Sequence, residues 1–152
     1  MENKDIQAEL INTINFKVNQ FIASSDSAKN SISAVYLFGS ILDKTRFKHN
    51  SDIDLAFLLD TSLHRIDRLK SSIDSYFIAT EIGLSLNRST DVIILNSAAL
   101  ETAFQILSQG LIVYEKNTDQ RIEYEIALKG MYFDFKPFLE KFRAKALSGI
   151  AR

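Results

Sequence analysis

The sequence predicts an α/β (α+β) chain, a small mixed β-sheet flanked by helices and followed by a C-terminal helix. Two observations carry that expectation. Apolar residues recur at helical spacing in several segments, and between them lie short runs rich in β-branched and aromatic residues that stop at glycine or polar breaks. With one proline, five glycines, and no linker, repeat or low-complexity stretch, residues 1–152 read as a single domain with a helical segment at about 118–146.

In chain order, Ile6, Leu10, Ile14, Val18, Phe21 and Ile22 make an amphipathic helix from Asp5 to about Ser24. "SDSAKNS" is turn material, and "SAVYLFG" is a buried strand ending at Gly39. "DIDLAFLLD" is a second strand. A helix from about Ser62 to Leu84 is expected to bury the stripe Leu63, Ile66, Leu69, Ile73 and Phe77. "TDVIIL", Thr90 to Leu95, is a third strand. Asn96 or Ser97 should cap a helix that runs to about Gln109 and ends at Gly110. "LIVYE" is a short strand, and from Thr118 the pattern is helical to Ala146, with breaks or kinks expected at Gly130 and Pro137.

The bulk composition excludes several classes. At 46% hydrophobic and 24% charged the chain is not disordered, and a net charge of -1 argues against a nucleic-acid platform. The absence of cysteine removes disulfides, thiolate nucleophiles and cysteine zinc sites. The polar start "MENKDIQAEL" is unlike a secretory signal, and no apolar run approaches the roughly 20 residues that span a bilayer. A cytoplasmic protein with no membrane contact is expected.

The chemistry concentrates in "YLFGSILDKTRFKHNSDIDLAFLL", Tyr36 to Leu59. Strand alternation sends Asp52 and Asp54 one way and Ile53, Leu55 and Phe57 the other. Carboxylates two positions apart, roughly 6–7 Å along a strand, can converge on one hard cation such as Mg²⁺. Asp91 opens the third strand and joins the pair if that strand neighbours the second; the three would then hold metal and supply a general base. Gly39 and Ser40 close the first strand, where a glycine admits a phosphate and a helix start would donate N–H groups to it. With 11 aspartates in the chain, a lone Asp-x-Asp arises by chance about once, so the weight rests on the combination. The plain alternative is a solvated strand edge beside an ordinary turn.

Other motifs fail or are weaker. An EF-hand loop fails because Ala56 takes a ligand position and no glycine follows, and no G-x-x-x-x-G-K-[ST] stretch exists. His49 and His64 are expected in loop and surface roles. "MYFDFKPFLEKF" carries Tyr132, Phe133, Phe135, Phe138 and Phe142, more aromatics than one narrow stripe buries, so it faces a core or a partner. Lys136, Lys141, Arg143, Lys145 and Arg152 bias this tail toward positive charge, which suits a solvated face, an acidic partner or a triphosphate.

The string "FGS…SDIDLAFLL…TDVIIL" resembles the DNA polymerase β-like nucleotidyltransferase superfamily in its minimal (MNT) branch. "YFDFKPFLEKF" is similar to the terminal helix of MNT antitoxins that pair with HEPN toxins. The resemblance implies the nucleotidyltransferase fold, metal ligands at Asp52 and Asp54, a third carboxylate (ligand or base) at Asp91, and a triphosphate-binding turn at Gly39 and Ser40. Two departures stand out: eleven residues separate Ser40 from Asp52, one more than usual, and Ile41-Leu42 occupy positions where polar or basic residues are common. The implied activity is Mg²⁺-dependent transfer of AMP from ATP to a tyrosine hydroxyl of a HEPN toxin, with release of pyrophosphate. The alternatives are a small-molecule nucleotidyltransferase of the aminoglycoside type and an antitoxin that neutralises by binding alone.

Overall fold

A computed structural model describes residues 2–150. Helix α1 (Glu2–Ala23) leads through the short α2 (Asp26–Ser31) into strand β1 (Ile32–Phe38). Strand β2 (Ile53–Leu59), helices α3 (Thr61–Ile66) and α4 (Arg68–Leu86), and strand β3 (Thr90–Ile94) follow. Helix α5 (Leu100–Gln109), strand β4 (Leu111–Glu115) and helix α6 (Thr118–Ile150) complete the chain. The sheet has the order β3-β2-β1-β4, with β2 and β3 parallel and both β1 pairings antiparallel.

Both faces of this sheet are covered, which explains the nearly unbroken apolar runs of β1 and β2. Val35, Leu37, Ile53, Leu55, Phe57 and Leu59 face α1 and α4, where they meet Ile14, Val18, Ile78 and Ile82. Ala34, Tyr36, Ala56 and Leu58 face the other way, against Ala103, Ile106 and Leu107 of α5 and Leu128 of α6. Asp54 and Asp91 share the parity of this second set, so both carboxylates project on the α5 side of the sheet.

Several expectations are corrected. "SDSAKNS", expected as turn material, forms helix α2, capped by Ser25, whose side chain accepts from the Ala28 N–H. The helix expected from Ser62 to Leu84 is two helices joined at an extended Asp67, whose side chain accepts a hydrogen bond from the Lys70 N–H. Its expected stripe faces solvent: Ile66 is 82% exposed and Phe77 64%, whereas Ser71, Ser75, Ile78, Ala79 and Ile82 are buried. The sequence carries two competing stripes, and the small residues of the second let α4 approach the sheet closely. His64, expected at the surface, is buried at the α3–α4 junction with Nδ1 2.9 Å from Ser71 Oγ. Helix α5 starts at Leu100 after Ala99 because Asn96 is used elsewhere: its side chain accepts from the Leu59 N–H and donates to the Leu59 carbonyl. Finally, α6 runs unbroken through Gly130 and Pro137. Proline removes one backbone donor, and its neighbourhood on α6 is exposed, so the freed carbonyl is not sealed away from solvent.

Helix α6 packs on the rest of the chain through its first half, and its second half is tied back to α5 by an ion pair while its aromatic side chains stay exposed. Tyr132 stacks on Phe104 of α5, with ring centroids 3.8 Å apart, and Arg143 pairs with Glu101. Phe135, Phe138 and Phe142 remain exposed. No described helix is long and apolar enough to cross a membrane.

Candidate active site

The site is assembled where β1 ends and where β2 and β3 begin. Asp54 is paired with Phe38 of β1 on one side and with Asp91 of β3 on the other. Residues opposite one another on neighbouring strands present side chains to the same face, so the Asp54 and Asp91 carboxylates meet. Asp52 stands one step outside β2 and is exposed. The condition set by the sequence, that the third strand neighbour the second, is met.

Gly39 completes this edge. Its backbone has φ of 85°, a region that residues with a Cβ rarely adopt, and a Cβ placed there would stand 2.0 Å from Asp54 Oδ2. Glycine is therefore required twice over, by conformation and by space. One 3-10 turn, Ser40–Leu42, follows, with the fully buried Ile41 anchoring it in the core. The buried Gln7 of α1 donates its side-chain N–H to the Ile41 carbonyl at 2.6 Å, tying the turn to the helix beneath.

The approach to Asp52 is held just as firmly. Arg88 Nη1 donates to the Ser51 carbonyl at 2.8 Å, and the Ile53 N–H donates to the Ser89 carbonyl at 2.9 Å. Ser51 Oγ accepts from the Lys48 N–H. Gln7, Arg88 and Arg46 are supporting residues that sequence reasoning missed. Nothing in their spacing marks them, since each reaches the site from a distant element or from within an irregular loop.

Electrostatics single out Asp54. Burial, then the charge and hydrogen bonding of the neighbouring Asp91 carboxylate, then the charge of Asp52, push its pKa up to about 6, while Arg46 opposes the rise. Close by, hydrogen bonds from Thr45 and Arg46 hold Asp43 down to about 2. A cavity of about 310 Å³ opens beside Gly39, between the loop after β1 and the exposed edge of α5.

These groups fit a hard divalent cation in a particular way. Among the described residues no three ligating side chains are close enough to cage a metal. Two converging carboxylates with a third at the rim instead match Mg²⁺, which takes one or two carboxylates and fills its remaining positions with phosphate oxygens and water. The raised pKa of Asp54 reflects burial first and then the contact with the Asp91 carboxylate, and a bound cation would relieve the second of these.

No curated protein matches the chain. Among solved structures, it is similar to a chain of a toxin–antitoxin complex crystallised with AMP-PNP, at 21% identity and a TM-score of 0.61, over 91% of this chain and 98% of that one. It is also similar to a chain of a MntA–HepT toxin–antitoxin complex, at 18% identity and a TM-score of 0.58, over 93% and 99%. A third likeness is to a chain of a tri-AMPylated Shewanella oneidensis HEPN toxin in complex with MNT antitoxin, at 19% identity and a TM-score of 0.57, over 91% and 99%. At such identities these likenesses speak for the fold. The sequence itself matches the polymerase beta nucleotidyltransferase family over residues 20–119, from the end of α1 to the start of α6. That stretch holds Gly39, Ser40, Asp52, Asp54 and Asp91 in the arrangement just described, and the chain belongs to the polymerase beta nucleotidyltransferase family.

Proposed function

We propose that this protein is the MNT antitoxin of a HEPN toxin and that it transfers AMP from ATP to a tyrosine hydroxyl of that toxin in the cytoplasm. The observation that carries the reading is the meeting of Asp54, Asp91 and Gly39 at one sheet edge. The complexes it resembles include an AMPylated HEPN toxin with an MNT antitoxin and a toxin–antitoxin pair with an ATP analogue.

In this reading Asp54 and Asp91, with Asp52 at the rim, hold Mg²⁺, which neutralises triphosphate charge when bound. Gly39 and Ser40 receive the outer phosphates at a point where backbone can approach closely. Asp91, exposed at the edge, accepts the proton of the incoming hydroxyl. The tyrosine oxygen forms a bond to the α-phosphorus, the bond from that phosphorus to the bridging oxygen breaks, and pyrophosphate leaves with the electron pair. Such chemistry asks mainly for positioning and charge neutralisation, which suits a site with few catalytic groups.

The test is the intact mass of the toxin co-expressed with this chain. Adenylate-sized increments that disappear with Asp54→Asn or Asp91→Asn support transfer. An unmodified toxin that the wild-type chain still silences sinks it. That outcome would favour neutralisation by binding alone, a reading for which the exposed Ile66, Phe77, Phe138 and Phe142 provide surface.

A further inference from the structure

Helix α4 shows solvent an apolar stripe that nothing among the described residues covers. Leu69, Ile73, Tyr76, Phe77, Thr80 and Leu84 fall within about 100° of one another around the helix, opposite the buried Ser71, Ser75, Ile78 and Ile82. The five apolar members are between 53% and 77% exposed. Thr80 donates its hydroxyl to the Tyr76 carbonyl at 2.8 Å, and Ser72 beside it donates to the Arg68 carbonyl at 2.7 Å. The stripe can therefore be dried without stranding either donor. With the exposed Ile66 just before it, the face offers on the order of 800 Å², the share that each partner gives to a standard specific interface.

The stripe is complementary to itself in one direction. Laid antiparallel on a second copy, with the dyad between Tyr76 and Phe77, Leu69 meets Leu84, Ile73 meets Thr80 and Tyr76 meets Phe77. Each of these pairs lies equally far from the dyad. Charge favours the same direction. Lys70 and Glu81 border the stripe on the same side, and neither enters an ion pair among the described residues. A two-fold axis brings like borders together, so Lys70 of each copy faces Glu81 of the other. A parallel pair would instead gather Arg65, Arg68 and Lys70 of both copies at one end. Antiparallel helices also set the positive end of one dipole beside the negative end of the other.

We propose that two copies of this protein associate through their α4 faces as an antiparallel two-fold dimer. The carboxylate edge stays open in such a pair, because Asp54 and Asp91 project on the α5 side of the sheet and α4 covers the opposite side. The dimer carries two outward-facing sites, and the inference holds whether or not either site transfers AMP.

Sedimentation of the full chain tests this. Its mass should rise from that of one chain to that of two, with a dissociation constant of about 10 µM. Ile73→Asp and Phe77→Asp put a carboxylate into the stripe and should each raise that constant about thirtyfold or more. Both positions are exposed, so melting curves of the dilute variants should match the wild type. Lys70→Glu or Glu81→Lys alone should weaken pairing several-fold, and the two together should restore it. The chain has no cysteine, so single cysteines report the register. Leu69→Cys and Leu84→Cys chains should form an intermolecular disulfide when mixed and oxidised, and neither should do so alone. A chain that stays single at 100 times the expected constant, or a dimer untouched by Ile73→Asp, overturns the proposal. So does Leu69→Cys that cross-links with itself as fast as with Leu84→Cys. A single chain whose capture of its toxin is lost with Ile73→Asp also overturns it and gives the face to the toxin.

Discussion

Gly39 and Asp54 share a space that admits only one side chain: a methyl group on Gly39 would stand 2.0 Å from the Asp54 carboxylate. Gly39→Ala must therefore push back either the backbone turn or the carboxylate, in addition to bearing a positive φ. We expect a stability loss of about 1–3 kcal/mol and a larger proportional loss of nucleotide affinity. Thermal melts read beside ATP titration check both parts.

The second expectation concerns pH. The pKa of Asp54 is about 6 in the fold against an ordinary value of 3.8, so the folded state binds more protons than the unfolded chain between those values. Stability contributed by this group is complete below about pH 4 and is lost as pH rises through 6. Asp54→Asn should thus stabilise the ligand-free protein at pH 7.5 and have little effect near pH 4. The side chain is half-exposed, so the gain is screened to about 1 kcal/mol. Urea unfolding at the two pH values measures it.

A divalent cation should act on the same contact. Mg²⁺ with ATP is expected to raise the melting temperature of the wild-type chain by a few degrees at pH 7.5. EDTA should abolish the increment, and Asp54→Asn should lack it. An increment of equal size in Asp54→Asn would place the cation elsewhere.

The two faces of α4 provide a fourth comparison. Ile82→Ala removes a side chain with no solvent exposure and should cost about 2–5 kcal/mol. Ile73→Ala removes the same atoms from a half-exposed position and should cost about 0.5 kcal/mol or less. A larger cost for Ile73→Ala than for Ile82→Ala would mean that the stripe read from the sequence, and not the buried one, packs on the sheet.

Removal of the Gln7 side chain isolates a support that lies outside the chemistry. Gln7→Ala leaves the Ile41 carbonyl without its 2.6 Å donor in a buried setting, for a loss of about 1–3 kcal/mol. ATP affinity should fall with it, because the Gly39–Ser40 turn loses its tie to α1. Gln7→Glu, which cannot donate when ionised, should not rescue either property.

Much of this was legible before any coordinates. Strands that alternate small or charged residues with Ile, Leu and Phe announce their two faces, and Asp54 and Asp91 each sit one step into an apolar run. Their meeting depended only on β2 and β3 being neighbours, which the sheet order provides. The α4 stripe was not legible, because Leu69, Ile73 and Phe77 satisfy helical period as well as Ser71, Ser75 and Ile78 do. Periodicity cannot say which of two stripes the rest of the chain will cover. His64 was missed for a related reason: its burial depends on the break at Asp67, and a polar sequence around a histidine gives no hint of a helix junction. Arg46 was hidden in the long loop, where position is decided by an aspartate-centred turn and not by any repeating pattern.

The parallel pairing of β2 with β3 has a consequence for the order in which the chain acquires its structure. The two strands are separated by α3 and α4, so Asp54 and Asp91 are brought face to face only after a long segment has closed between them. The last strand to dock on that side must therefore advance one negative charge against another. Protonation near pH 5, or a cation waiting at the edge, lowers that kinetic obstacle. A divalent cation should thus speed refolding while keeping the ionised carboxylates in the arrangement that receives the nucleotide, whereas acid speeds it only by discharging Asp54.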